Sequence, residues 1–198
     1  MTELNAVALV CTLKRSPADS SIDLIARQIL DQLAAHDVKG EIIRVVDHDV
    51  YPGVSGDAGP GDQWPIIRDE IAASEIPLVA TPTWVGHMSS IAQRVLERLD
   101  AEIYRTDEAG RPAMTGKVAI AAVVGNEDGA HKIVADLFQG LDDIGFPIPA
   151  QGCTYWNDQA MGSTDYLDLD EQPEAVAKAT ATLARNTAHL ARLLSEHN

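Results

Sequence analysis

Apolar residues along this chain come in two patterns: short continuous runs, and longer stretches where they recur every three or four positions. The first run, Leu4 to Cys11, reads as a parallel strand buried on both faces. It breaks into the polar turn Thr12–Ser21, and the spacing of Ile22, Ile25, Ile29 and Leu33 then predicts a helix. Asp19, Ser20 and Ser21 all suit its N-cap. Gly40 is expected to end this unit, with a second strand over Glu41–Val46. Asp47–Asp62, rich in glycine and proline, reads as a long, mobile, ligand-adjacent surface loop. A short helix is expected over Trp64–Ser74 and a third strand over Ile76–Ala80. That strand runs into the polar, aromatic loop Thr81–Ser90, then into a helix with Met88, Ile91, Val95 and Leu99 on one face.

A polar excursion, Asp100–Pro112, precedes a fourth strand, Lys117–Val124, and the loop Gly125–His131. A helix through Ile133, Leu137 and Leu141 follows, stopped by Gly145. The fifth strand is expected at Phe146–Gly152, on an edge because of Pro147 and Pro149. Thr154–Leu169 reads as irregular, and a last helix as Gln172–Ser195. Strict strand–helix alternation calls for an α/β fold: one domain, residues 1–198, with a parallel sheet covered by helices on both faces. In such a sheet the turns at the carboxyl ends of the strands meet at one edge, where ligands bind.

Composition narrows the class. The chain is 45% hydrophobic, yet its longest apolar run, Val118–Val124, is far too short to cross a bilayer, so no membrane insertion is expected. A formal charge of −15 argues against a nucleic-acid partner, which demands a basic footprint. The start has no signal-peptide pattern, and the expectation is a cytoplasmic protein with two reduced thiols, Cys11 and Cys153. The six histidines form no HExxH, so a metal site is not expected. Fingerprints for dinucleotide folds, nucleoside-triphosphate loops and α/β-hydrolase elbows are absent.

Three turns carry the candidate chemistry. Ser16, Ser20 and Ser21 offer hydroxyls at a helix N-terminus, which suits a phosphate, with Lys14 or Arg15 adding charge; plain helix capping is the alternative. Pro82, Thr83, Trp84, Val85 and Gly86 suit a flat amphipathic ring, Gly86 allowing close approach and Trp84 offering apolar area. The alternative places Trp84 partly in the core and His87 in solvent. In the third turn Asn126 can bond a ring edge and Gly129 permits close packing, while Glu127 and Asp128 are poor anion ligands and could cap the next helix. His131 is a proton donor, a ring-edge contact or an exposed residue.

The segments CTLKRSPADSS, ATPTWVGHMSSIAQRVLERLD and VVGNEDGAHKI resemble the three FMN-binding loops of the flavodoxin-like NAD(P)H-dependent FMN reductase and quinone reductase superfamily. The resemblance spans about Ala6 to Leu141, and its middle motif is the most specific: a Thr-Pro pair, an aromatic, a glycine and a helix starting with serine. It implies a flavodoxin-like three-layer α/β/α sandwich with a five-stranded sheet of order 2-1-3-4-5. It implies FMN as cofactor: Ser16, Ser20 and Ser21 on its phosphate, Pro82 to Gly86 along its ring, and Asn126, Gly129 and His131 at the other ring edge.

By the same resemblance, NAD(P)H would supply hydride for a small-molecule acceptor such as a quinone, nitro compound or free flavin. No catalytic side chain is singled out. Backbone N–H groups of Thr83–Gly86 and Asn126 would stabilise negative charge on the ring. Tyr51, Trp156 and Tyr166 would wall the substrate side, and the assembly would be a homodimer or tetramer. The first turn lacks the Thr-x-Thr-Gly-x-Thr form of electron-transfer flavodoxins. Glu127-Asp128 departs from the glycine-rich third loop of many quinone reductases. Two rival readings are a flavodoxin-like electron carrier and a non-catalytic domain.

Overall fold

The computed structural model describes residues 3–158 and 162–197; residues 159–161 of the expected irregular stretch, the first two residues and Asn198 lie outside them. Eleven elements frame the site: β1 (Leu4–Val10), α1 (Ser21–Ala34), β2 (Val38–Arg44), α2 (Trp64–Ala73), β3 (Ile76–Trp84), β4 (His87–Met88), α3 (Ser90–Leu99), β5 (Ile120–Val124), α4 (Ala130–Ile144), β6 (Cys153–Trp156) and α5 (Glu174–His197). The sheet order is β2-β1-β3-β5-β6, all parallel, with the two-residue β4 hanging from β3 as an antiparallel partner. The five parallel strands thus follow the order 2-1-3-4-5, the flavodoxin-like arrangement.

Alternation along the strands sorts the side chains into two cores. Ala6, Ala8 and Val10 of β1 join Leu78 and Ala80 of β3 under α1 and α5. Val7, Leu9 and Cys11 join Val79, Ala121 and Val123 on the opposite face, under α2, α3 and α4. Burial on both faces is why these strands read as continuous apolar runs. The ends of β1 and β3 are stitched by Ser89, the N-cap of α3. Its hydroxyl donates to Cys11 O at 2.7 Å and accepts from Ala92 N at 3.2 Å, while its amide donates to Thr81 Oγ1 at 3.0 Å.

Several expectations are corrected. Gly40 does not end a unit but lies inside β2, where a Cβ would come within 2.8 Å of Leu30. The fifth parallel strand is Cys153–Trp156 rather than Phe146–Gly152. Pro147 and Pro149 have no N–H to give a ladder, whereas Thr154, Tyr155 and Trp156 are strand-favouring residues next to β5. The Thr81–Ser90 turn is mostly a hairpin: β3 runs on to Trp84 and returns through Val85 and Gly86 into β4, so Met88 belongs to a strand and not to α3.

The Asp47–Asp62 segment is anchored. Arg98, on α3, is fully buried and donates to Tyr51 O at 2.7 Å, Ser55 O at 2.9 Å and Asp62 Oδ2 at 2.6 Å. Its guanidinium lies 5.7 Å from the centre of the Trp64 ring. Asp62 also accepts from the amides of Tyr51, Ala58 and Trp64. Burial pushes this carboxyl up, but the Arg98 guanidinium and the three amides outweigh it and hold it at about 2.

Candidate active site

Beyond the carboxyl ends of β1, β3 and β5 lies a cavity of about 170 Å³. Its first wall is Thr12, Leu13, Lys14, Ser20, Ser21 and Ile22, from the β1–α1 turn. Pro82, Thr83 and Trp84 of β3 form the second, with Val124, Gly125 and Asn126 after β5 forming the third. Trp156, Asp165 and Tyr166 close it from the C-terminal side. The order of the strands brings these turns together: β3 is flanked by β1 and β5, so all three meet at one edge.

The cavity is polar in the electrical sense. Lys14 is the one cation among its described lining residues. It sits where α1 begins, and the first amides of a helix lack intrahelical acceptors and carry partial positive charge. Ser20, the N-cap, makes no side-chain capping bond, so its hydroxyl is available to a ligand. Near Asn126 the charge is opposite: Asp165 lines the cavity and accepts from Asn126 Nδ2 at 3.3 Å. Tyr166 is 2% exposed, lies 5.3 Å from Trp156 ring to ring, and donates its hydroxyl to Gln28 Oε1 at 2.7 Å.

Thr83 contributes a buried hydroxyl with no hydrogen-bond partner. Its Cβ lies 2.8 Å from where a Cβ on residue 125 would stand, so only glycine fits there. A buried unpaired hydroxyl is uncommon and needs a reason; a polar ligand in this cavity supplies one.

The structure brings together Ser20, Ser21, Pro82, Thr83, Trp84 and Asn126 in this wall. Ser16 is elsewhere. It faces a wider groove with Asp23, Arg44 and Asp47, where its amide and hydroxyl donate to Asp47 at 2.9 and 2.5 Å. Those bonds hold the Asp47 carboxyl below its usual range. Val85, Gly86, Gly129 and His131 lie outside the wall. Val85 and Gly86 form the hairpin tip with φ of +53° and +70°, and Val85 is 86% exposed. Gly129 packs against that tip so tightly that a Cβ would stand 2.9 Å from Gly86.

His131 is exposed and meets Tyr155 edge-on at 5.0 Å. His87 is exposed, with Lys132 Nζ 3.4 Å from its Nδ1. Trp84, at 52% exposure, is not a core residue. Tyr51 lies in a separate groove with Arg15 and Arg94.

Glu127 does not cap α4. Its carboxylate reaches across to the hairpin and accepts from Val85 N at 2.9 Å and Gly86 N at 3.3 Å. Those two amides, expected to face the ring of a ligand, are thus bonded within the protein. Sequence reasoning missed Thr12, Gly125 and Asp165. Gly125 follows directly on β5 and Thr12 lies two residues past β1, a signal that could have found them. Asp165 had no local signal, since it depends on how the segment before α5 folds back.

Residues 5–160 match the family model described as NADPH-dependent FMN reductase. The chain belongs to that family. A relative from Streptomyces davaonensis, 8-demethyl-8-aminoriboflavin-5'-phosphate synthase, is 28% identical over 98% of this chain and 79% of its own length. A structure of RosB with the bound intermediate 8-demethyl-8-formylriboflavin-5'-phosphate superposes with a TM-score of 0.90 at 28% identity, over 98% of this chain and 81% of that one. A divalent metal cation transporter MntH from Mycobacterium bovis is 30% identical over 96% of this chain, which spans only 29% of that relative's length. No helix among the described residues is long and apolar enough to cross a membrane.

The residues present fit FMN, the family's cofactor. Ser20, Ser21, Lys14 and the start of α1 would hold its phosphate. Pro82, Thr83 and Trp84 would lie along its ring, with Gly125 leaving room and the unpaired Thr83 hydroxyl finding a partner. The family is one of FMN-dependent oxidoreductases.

Proposed function

We propose that the chain takes hydride equivalents from NAD(P)H through FMN bound in this cavity and delivers them to a small organic acceptor, acting as a cytoplasmic homo-oligomer. The observation that supports this reading most is the cavity's layout. A cation and a helix N-terminus lie at one end, and Pro82, Thr83 and the half-exposed Trp84 form an open ring-sized wall. Bound FMN supplies a ring that accepts hydride and passes electrons on. The protein's part is to fix and shield it: Lys14 and Ser20 set the register, Trp84 offers a flat face, and Tyr166 on Trp156 excludes water from the far side.

The test is an anaerobic titration of the purified protein with FMN, followed by NADH or NADPH. Tight uptake and rapid bleaching of the visible band support the proposal. An FMN that binds but stays oxidised points to an electron carrier, and failure to bind FMN refutes the reading.

A second reading has one observation in its favour, the 0.90 TM-score to RosB across 98% of this chain. In that reading FMN is a substrate whose ring substituent is modified. Incubating protein and FMN in air and following flavin mass separates the two: a new flavin mass supports the substrate role, and unchanged flavin over many turnovers of NAD(P)H oxidation excludes it.

A further inference from the structure

β2 ends the sheet, and among the described residues it pairs with β1 alone. Which of its backbone groups face outward follows from the ladder. On β1's other side, Glu75 N donates to Asn5 O at 3.0 Å and Cys11 N to Ala80 O at 2.8 Å. Backbone groups alternate direction along a strand, so Leu4, Ala6, Ala8 and Val10 turn toward β2. Ala6 stands opposite Gly40, and in a parallel ladder it bonds the two residues flanking that position, Lys39 and Glu41. The N–H and C=O groups of Val38, Gly40 and Ile42 therefore point outward, with no partner among the described residues. Open grooves of about 700 and 710 Å³ run along this side and share Gly40.

An edge of this kind is a template for another strand, and proteins usually blunt it with proline, a bulge or charge. β2 has seven residues, no proline and an unbroken register. Its charges suit a copy of itself. In an antiparallel pair across a two-fold axis, the residue at the axis faces itself and its neighbours face each other crosswise. An axis at Lys39 or Glu41 sets like charges together, and one at Ile42 sets Glu41 against Ile43. An axis at Gly40 sets Lys39 against Glu41 on both sides of it, and brings the outward groups of Val38, Gly40 and Ile42 onto those of the second copy. Opposite charges at such positions stabilise the pair and like charges destabilise it. The present ion pair of Lys39, with Glu3, joins side chains 70% and 64% exposed and contributes little.

We propose that a second copy of this chain adds to β2 antiparallel, about a two-fold axis at Gly40, so that one sheet runs through both copies. Such an axis points the carboxyl ends of the two sheets in opposite directions. Each cavity then stays with its own chain, and the contact covers neither. The contact gives the homo-oligomer proposed above a surface, yet it holds whether or not FMN binds.

The test is sedimentation of wild type, Lys39→Glu, Glu41→Lys and the double swap over about a hundredfold range of concentration. Wild type is expected at twice the 21.2 kDa of one chain, or at an even multiple of it. Each single reversal should raise the dissociation constant at least about tenfold, and the double swap should bring it back to within about threefold. Ile42→Pro removes an outward N–H and spares the β1 ladder, so it should separate the copies while circular dichroism shows a folded chain. If Ile42→Pro unfolds, the charge series decides alone. A monomeric wild type overturns the proposal, as do single reversals without effect, or weakened association that the double swap fails to recover. FMN uptake on the same samples keeps the two readings apart: its absence refutes the FMN reading and leaves this contact standing.

Discussion

Replacing Arg98 by methionine removes the positive charge that pairs with the buried Asp62 carboxylate. Both side chains are 0% exposed, their N–O distance is 2.6 Å, and the guanidinium also satisfies two carbonyls of the 51–55 stretch. Breaking a buried pair from one side costs about 3–5 kcal/mol, because the remaining charge stays buried. The lower end applies here, since Asp62 keeps three backbone amides. For a chain of this length, about 3 kcal/mol lowers Tm by about 10 °C.

Thermal and urea unfolding followed by circular dichroism measure the loss, and limited proteolysis locates it, with cleavage expected first between residues 48 and 63. The pH dependence gives a second arm. The folded Asp62 carboxyl is depressed to about 2 from 3.8, so its stabilising contribution is complete above about pH 4 and disappears as pH falls through the folded value. The gap between wild type and Asp62→Asn should therefore hold down to about pH 4 and shrink toward pH 2. A loss under about 1 kcal/mol in Arg98→Met, or a gap that stays constant across that range, would refute the argument.

Two further outcomes follow from the site's backbone and thiols. Val85 is a β-branched residue at φ +53° on an exposed tip; Val85→Asn suits that conformation and should raise stability by about 1 kcal/mol in urea titration, and a loss of stability would show that the turn carries no strain. Burial pushes the Cys11 thiol far up and leaves it inert, while Cys153 is only half-buried, so a chromogenic disulfide reagent should reach at most one thiol in native protein and both after guanidinium; two fast native thiols would contradict this.

How much of this was legible beforehand depends on the range of the interactions. Short apolar runs placed β1, β3 and β5, and the helical stripes placed α1, α3, α4 and α5, because burial acts on patterns of a few residues. Ser20, Ser21, Pro82, Thr83 and Asn126 were findable for the same reason: each sits where an apolar run ends or a helical stripe begins. The middle turn was legible as a site but not as a hairpin. Val85 is a poor residue for that turn, which a carboxylate 42 positions away holds in place.

By itself, the sequence determined the layers, the strand order expected from its family resemblance, and the edge where ligands bind. Tertiary structure alone decided what those residues do once there. It turned Ser16 toward Asp47, anchored the long loop through a buried arginine, and brought Asp165 back from beyond the last strand. It also paired Glu127 with two amides that local reading had left free for a ligand. The physical reason is that charge and hydrogen-bond pairing act through space between residues with no pattern linking them along the chain. Which donors a site offers is settled only when every carboxylate nearby has found its partner.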